Sequence, residues 1–572
     1  MTTCDKGPNV SEEKLHSLGN NSIHCKNTGL NMESICVKIL LLLLVVIETE
    51  SKSYYLSGTV YTDHGVARFE PGKMDPKGAA YGFFNNTLNQ TGWGVLDIKA
   101  GHGLKIDDNN EIMFAAGFLE GIFTANEIDF HYENLYKTLL GNNPKGKKLE
   151  ASLRNFYAKQ DSWTREMVKT KAASDPYWKH VSYIVSQFDG LWAGYKTVKH
   201  GNVTQDKFII QFLNALGDNL DLLKVLNPSE RPDFRKFSKE EMLEYIRSNG
   251  HCSALVKVRG AFEDIYMSHS SWFLYATTNR IFKYYDFNID DPLTAAKRMG
   301  FSSYPGFLES LDDFYMLGSQ MVVLQTSINV FNTSLYDAVS PSCLMAWQRV
   351  RVANMMATGG PQWSELLAKY NSGTYNNQYM VVDLKEIELK KEIKDNALWV
   401  VEQIPTLVEG GDATDILRTG YWPSYNIPFF EKLYNKSGYP AMVERFGLDM
   451  SYQLAPRAKI FRRDASSVHN MNEMMTIMRY NNYTLDPYTE HDPCNTICCR
   501  GDLKPNPRAL GCYDTKVTNF EMAQSFKAYA INGPTTSDGL MPFTWQGRFE
   551  KSSHIGLPVE YNFQWVLMKP SL

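Results

Sequence analysis

The chain is predicted to be α+β, and three observations predict it. Segments of strand composition at 93–98, 378–383 and 397–402 are interleaved with helical periodicity at 111–124, 135–140, 164–188, 206–226 and 363–370, a pattern that builds layers rather than a bundle or an all-β sandwich. A length of 572 residues with 13% aromatic side chains exceeds one small core, so two lobes or one large layered domain are expected. No internal repeat, heptad tract or low-complexity run interrupts the pattern. The net charge of −4, without clustered Lys and Arg, excludes nucleic acid as a partner.

In chain order, Lys38 is followed by an apolar run at 39–47 and then by Glu48, Thr49 and Glu50. Nine residues are too short to cross a hydrocarbon layer of ~30 Å at helical rise, so the run reads as the core of a secretory signal. Residues 1–50 are therefore expected to be an N-terminal extension and signal peptide, with Met32 as an alternative start. No later segment approaches spanning length, and no basic amphipathic helix suggests a membrane surface. Six sequons, at Asn85, Asn89, Asn202, Asn332, Asn435 and Asn482, agree with a lumenal route and are expected to carry glycans. Of the cysteines beyond residue 50, Cys494, Cys498, Cys499 and Cys512 crowd into a loop rich in Asn, Pro, Asp and Gly. Without paired C-x-x-C arms or an intervening His they are expected to form two local disulfides rather than a zinc site, with the pairing left open. Cys252 and Cys343 are left unpaired.

Residues 51–226 form a first fragment. The stretch 227–251, with its prolines, charges and Asn249-Gly250, reads as an exposed, cuttable connector. Residues 252–572 then begin with an alternating strand at 252–258, a charged turn and a second strand at 265–272, which together predict a hairpin. A turn centred between Ala261 and Phe262 places Cys252 opposite Ser271 and Ala254 opposite His269, so that Cys252 and His269 share a face as diagonal neighbours. Residues 454–463 are expected to add a further strand.

The dipeptide His251-Cys252 carries the chemistry. Scission before Cys252 gives that residue a free α-amine beside its own thiol, and ordinary values of about 8.5 for the thiol and about 7.7–8.0 for the amine match them as nucleophile and base. This is the logic of an N-terminal nucleophile hydrolase. The sequence holds no G-x-S-x-G elbow, H-E-x-x-H helix or P-loop. No cofactor or metal is expected.

Several strings then carry a resemblance: Gly250-His251-Cys252-Ser253-Ala254-Leu255, His269-Ser270-Ser271-Trp272, Trp347-Gln348-Arg349-Val350-Arg351-Val352, Trp422-Pro423-Ser424-Tyr425-Asn426-Ile427-Pro428 and Ala455-Pro456-Arg457-Ala458-Lys459-Ile460. Over about 54–570 the chain closely resembles the phospholipase B-like proteins. The resemblance implies an Ntn-hydrolase αββα sandwich, a glycosylated precursor cleaved between His251 and Cys252, and two fragments that stay associated. It implies Cys252 as nucleophile with His269 beside it, Thr326 lining the site, Asn426 serving the oxyanion, and Arg457 fixing charge or geometry. A phospholipid or other acyl lipid is the implied substrate, through a thioester on Cys252. An amidase acting on N-acyl lipids or small amides, and a self-cleaving lumenal binding protein without turnover, stand as alternatives. The implied compartment is the lysosome or a secretory granule lumen, with secretion possible.

Overall fold

The computed structural model describes residues 53–63, 66–103, 108–199, 206–248 and 251–572. The signal segment within 1–50, its cysteines and the sequon at Asn202 lie outside the described residues. Two sheets face each other. The larger has eleven strands, in the spatial order Leu407–Asp412, Leu398–Ile404, Asn377–Asp383, Met321–Ser327, Tyr315–Leu317, Arg298–Ser303, Ile281–Phe287, Trp93–Ala100, Ala80–Thr87, Tyr54–Asp63 and Val66–Pro71. The smaller has six: Tyr421–Ser424, His251–Val258, Ile265–Leu274, Leu510–Asn519, Ala528–Asn532 and Val566–Met568.

Three cores define four layers. Between the sheets, Ala254, Val256 and Met267 of the small sheet pack with Phe282, Val322, Leu324 and Met380 of the large one. Outside the large sheet lie the helices Asn109–Phe123 and Pro176–Val198, packed on Leu96, Ile98 and Phe84. Outside the small sheet lie the helices Pro456–Asp464 and Met471–Met478, whose Ile460, Phe461 and Met474 cover Leu255, Tyr266 and Val517. The fold is thus a layered α+β domain, as the interleaved pattern predicts, and its layers are ordered αββα, as the family resemblance implies.

Local chemistry explains most boundaries. The expected helix at 164–188 is two helices, Pro144–Lys171 and Pro176–Val198, because Asp175 caps the Tyr177 N–H and Pro176 occupies the first turn, where its missing N–H costs nothing. The helices Asn109–Phe123 and Pro176–Val198 touch along glycines: a Cβ at Gly117 would lie 2.0 Å from the Gln187 carbonyl oxygen, and one at Gly190 2.1 Å from that of Phe114. The strand expected at 454–463 is instead the helix Pro456–Asp464. Pro456 at its first turn sets a helical φ, and Ala458, Ile460 and Phe461 make a helical stripe against the small sheet.

The connector 227–251 contains the helix Lys239–Ser248, and its Phe234 and Met242 are buried against Phe331, Tyr439 and Met450. The cysteine loop carries two disulfides, Cys494–Cys499 and Cys498–Cys512, packed on Trp272. Asn89, Asn332 and Asn435 are exposed, and Asn85 and Asn482 half-buried. Among the described residues no helix is long and apolar enough to cross a membrane.

Candidate active site

The hairpin has the register its alternation predicts: Cys252 pairs with Ser271 and Ala254 with His269. Its turn has Ala261 and Phe262 at φ of 53° and 55°, left-handed positions without glycine, and the Arg259 N–H donates to the Asp264 carbonyl across it. The next strand, Leu510–Asn519, sets Asp514 opposite Ser271 and Lys516 opposite His269. Directly paired residues share a face, so Cys252, Ser271 and Asp514 form one row and Ala254, His269 and Lys516 the next, all turned toward the large sheet.

On one flank of Cys252, side chains hold its main chain. The Cys252 N–H donates to Asn426 Oδ1 at 3.2 Å. Arg457 Nη1 donates to the Cys252 carbonyl oxygen at 2.5 Å and to Ser253 Oγ at 3.2 Å, while Nη2 donates to Asn426 Oδ1 and to the Tyr425 carbonyl, both at 2.8 Å. The guanidinium also lies 4.5 Å from the Trp272 ring centroid. Burial lowers Arg457 to about 10, which leaves it charged at physiological pH. Asn426 sits in a left-handed backbone position at φ 70°. Its Nδ2 donates to the Ser327 carbonyl at 2.7 Å and to Ser327 Oγ at 3.1 Å. Two donors converge on Oδ1 and a carbonyl receives Nδ2, so the amide orientation is fixed by its partners. Both amide hydrogens are committed to Ser327, and what the side chain offers Cys252 is an acceptor.

Behind this flank runs a directional chain. The Asn426 N–H donates to Thr326 Oγ1 at 3.4 Å, and Thr326 Oγ1 and Ser424 Oγ lie 2.7 Å apart. Ser424 donates to Gln378 Oε1 and Gln378 Nε2 to Glu402 Oε1, both at 2.6 Å. Ser424 has one proton and gives it to Gln378, so Thr326 is the donor to Ser424. Glu402 also receives the Phe429 and Phe430 N–H groups, which anchors the loop that carries Asn426. Burial raises its carboxyl to about 7 against those hydrogen bonds.

The other flank is a buried charge cluster. Lys516 Nζ lies 2.5 Å from Asp312 Oδ2, 2.7 Å from Asp514 Oδ1, 2.7 Å from Ser271 Oγ and 3.2 Å from His269 Nδ1. Arg280 bridges the same two carboxylates, at 2.9 Å to Asp312 and 2.8 Å to Asp514. Burial opposes ionisation of Asp312, yet Arg280 and Lys516 hold it well below the usual carboxylate range. Burial, and then the Lys516 charge, push His269 well below the usual imidazole range, so the ring is neutral. An ammonium can only donate, so Nδ1 accepts and the ring proton is on Nε2. Nε2 faces the Gln325 backbone without completing a hydrogen bond. His269 therefore shares a face with Cys252 but is tied to Lys516 and Ser271 instead of the thiol.

Cys252 is 7% exposed, and burial pushes its thiol up to about 12, with the Trp272 backbone N–H and the Lys516 charge pulling the other way. It lines a cavity of about 60 Å³ together with Ser271, Asp312, Tyr375 and Lys224. Trp272 and Asn329 separate this from a second cavity of about 80 Å³ that reaches Asn426, Arg457 and the connector residues Leu243 and Ile246. Among the residues expected from sequence, Cys252, Thr326, Asn426 and Arg457 form one hydrogen-bonded group. Sequence reasoning missed Lys516, Asp514 and Arg280 as site residues. The one available signal was charge alternating within 512–518, a stretch otherwise patterned as a buried strand.

The phospholipase B family profile matches residues 80–568. Phospholipase B-like 1 from Rattus norvegicus is 54% identical over 504 residues, covering 87% of this chain and 89% of the relative. Phospholipase B-like 1 from Bos taurus is 51% identical over 548 residues, 95% of this chain and 98% of the relative. Phospholipase B from Crotalus adamanteus is 49% identical over 540 residues, covering 93% and 96%. With a match over most of its length and relatives at this identity, the chain belongs to the phospholipase B-like family.

Proposed function

We propose that the chain is a lipid acyl hydrolase that uses Cys252 as an N-terminal nucleophile after scission of the His251–Cys252 bond. The observation that supports this most strongly is the grip on residue 252: its nitrogen on Asn426 Oδ1 at 3.2 Å and its carbonyl oxygen on Arg457 at 2.5 Å. An acceptor placed on that nitrogen suits the amine that scission would produce as well as the amide it replaces. In the processing step Cys252 Sγ attacks the His251 carbonyl carbon and the C–N bond breaks. The nitrogen takes up a proton to become the α-amine, and water then hydrolyses the thioester to leave a carboxylate on residue 251 and a free thiol.

In turnover the α-amine takes the thiol proton, the thiolate attacks the acyl carbonyl, and the departing alcohol receives that proton. Water resolves the thioester and releases the fatty acid. The Lys516 charge favours the thiolate, and the Trp272 backbone N–H is the donor directed at the sulfur. With its amide hydrogens on Ser327, Asn426 holds the amine in this scheme, and service to the oxyanion would require the side chain to turn.

Phospholipid ester is the substrate the family membership supports. An N-acyl amide is a second reading, because the bond cleaved in processing is itself an amide. Two disulfides and exposed sequons support an oxidising lumen, lysosomal or secretory, as the compartment. The test is fatty acid release by purified, processed protein from a phospholipid and from an N-acyl amide of the same chain length, with Cys252→Ala as control. Release is expected to depend on Cys252, and the faster substrate decides between ester and amide. Release by Cys252→Ala at the wild-type rate overturns the mechanism.

A further inference from the structure

Both carboxylates that line the Cys252 cavity are already engaged. Asp312 holds Lys516, Arg280 and Ser302. Asp221 receives the Tyr336 hydroxyl at 2.5 Å and Asn376 Nδ2 at 3.1 Å. The only cation among the described lining residues is Lys224, in the last turn of the helix Leu216–Leu226. Its side chain is 16% exposed, and its one ion pair is a 3.3 Å contact with Asp221. Its remaining neighbours are rings, those of Tyr336 at 5.7 Å and Tyr245 at 5.8 Å, and it is within hydrogen-bonding reach of the Tyr245 hydroxyl.

Tyr245 belongs to the connector helix Lys239–Ser248, so part of what satisfies Lys224 in the intact chain comes from the segment next to the scission point. An ammonium has three hydrogens, and burying it away from water is costly unless each finds an acceptor. The lining mixes apolar Leu220, Ile328 and Val330 with polar Ser327, Asn329 and Asn376. One cavity thus presents a nucleophile, an apolar patch and a cation that meets two acceptors, Asp221 and the Tyr245 hydroxyl, with its three hydrogens.

We infer that Lys224 receives the anionic headgroup of the acyl substrate, either the phosphodiester of a phospholipid or the carboxylate of an N-acyl amino acid. This rests on the acyl-hydrolase reading of Cys252. Lys224 acts as a specificity-determining residue: it does not touch the reacting bond, and it selects acyl compounds whose leaving group carries a negative charge. Tyr245 occupies the anion's place in the intact chain.

The experiment compares processed wild type, Lys224→Gln and Lys224→Arg on lysophosphatidylglycerol, an N-acylglycine and a neutral monoacylglycerol of one acyl chain length. In Lys224→Gln the ratio of kcat/KM for an anionic substrate over the neutral one is expected to fall by roughly tenfold or more, through KM, as expected for loss of a charged hydrogen bond. Lys224→Arg restores most of it. Whichever anionic substrate responds identifies the source of the charge. An unchanged ratio for both anionic substrates, or an equal loss on all three, overturns the assignment.

Should Lys224→Gln fail to accumulate, the same ratio is read on Lys224→Met, where it is expected to fall as far, and an unchanged ratio overturns the assignment. Wild type alkylated with iodoacetamide separates the two ideas: release that survives alkylation of Cys252 refutes the acyl-hydrolase reading itself.

Discussion

The two flanks of Cys252 are built from opposite materials. On the Asn426–Arg457 side, partners meet the main chain of residue 252 directly, through one guanidinium and a file of neutral groups running from Thr326 to Gln378. On the His269–Lys516 side, two cations and two carboxylates neutralise one another at zero exposure or close to it, and none of them is hydrogen-bonded to the Cys252 main chain. The first arrangement fixes position. The second sets electrostatic potential. In the proposed scheme the nucleophile would attack first its own backbone and later a bound substrate, which calls for both, and separating them would let the backbone grip persist while the charge near the sulfur stays constant.

The contrast can be broken from either side. Cys252→Ala should have the largest effect: no scission and no acyl release, read by the absence of fragments ending at 251 and beginning at 252 in mass spectrometry. Next come the charged members. Lys516→Met leaves two carboxylates on Arg280 alone and should cost about 3–5 kcal/mol of stability in denaturant titration, but Asp514→Asn in the same chain should recover part of it. Arg457→Met leaves the Cys252 and Tyr425 carbonyls and Asn426 Oδ1 short of a donor without stranding a charge, and should cost about 1–3 kcal/mol and slow processing. Recovery when Asp514→Asn is combined with Lys516→Met, together with none when it is combined with Arg457→Met, would show that the flanks are independent.

Glu402 gives a smaller, pH-dependent effect. Its folded value of about 7 lies above the ordinary carboxylate value of 4.5, so its stabilising contribution is complete below about pH 4.5 and is lost as pH rises through about 7. The loss accumulates between about pH 4.5 and 7 and is on the order of 3 kcal/mol, and Glu402→Gln should flatten the fall in Tm over that window. Glu127, raised by burial to about 7, and Asp218, raised to about 6, act in the same direction and should leave a residual slope. The smallest effect is expected of Thr326→Val, which removes one link of the neutral file and should cost about 1 kcal/mol.

The sequence carried one flank further than the other, for a physical reason. Strand alternation is local, so the hairpin register and the Cys252–His269 face could be read from 252–272 alone. Arg457 was legible as a site residue only through the family strings, and its expected strand is a helix because a proline at the first turn outweighs a short apolar alternation. The role expected of Asn426 depended on which way its amide points. Ser327 and Arg457 decide that, 99 and 31 residues away in sequence. The charge cluster joins Arg280, Asp312 and Lys516 across up to 236 residues, from position 280 to position 516, and no local pattern encodes such a meeting. Composition also made the connector look like solvated loop, whereas Phe234 and Met242 are buried.

The large sheet contains one parallel pairing, between Trp93–Ala100 and Ile281–Phe287, and the connector lies between those strands in sequence. A chain opened at residue 252 would keep that ladder, and the two pieces would remain zipped without a covalent link. The loop that once tethered them would be gone, so reassembly after full unfolding would become a meeting of two molecules, dependent on concentration. A mature protein of this kind would endure through slow unfolding rather than ready refolding, and heat would inactivate it once and for good.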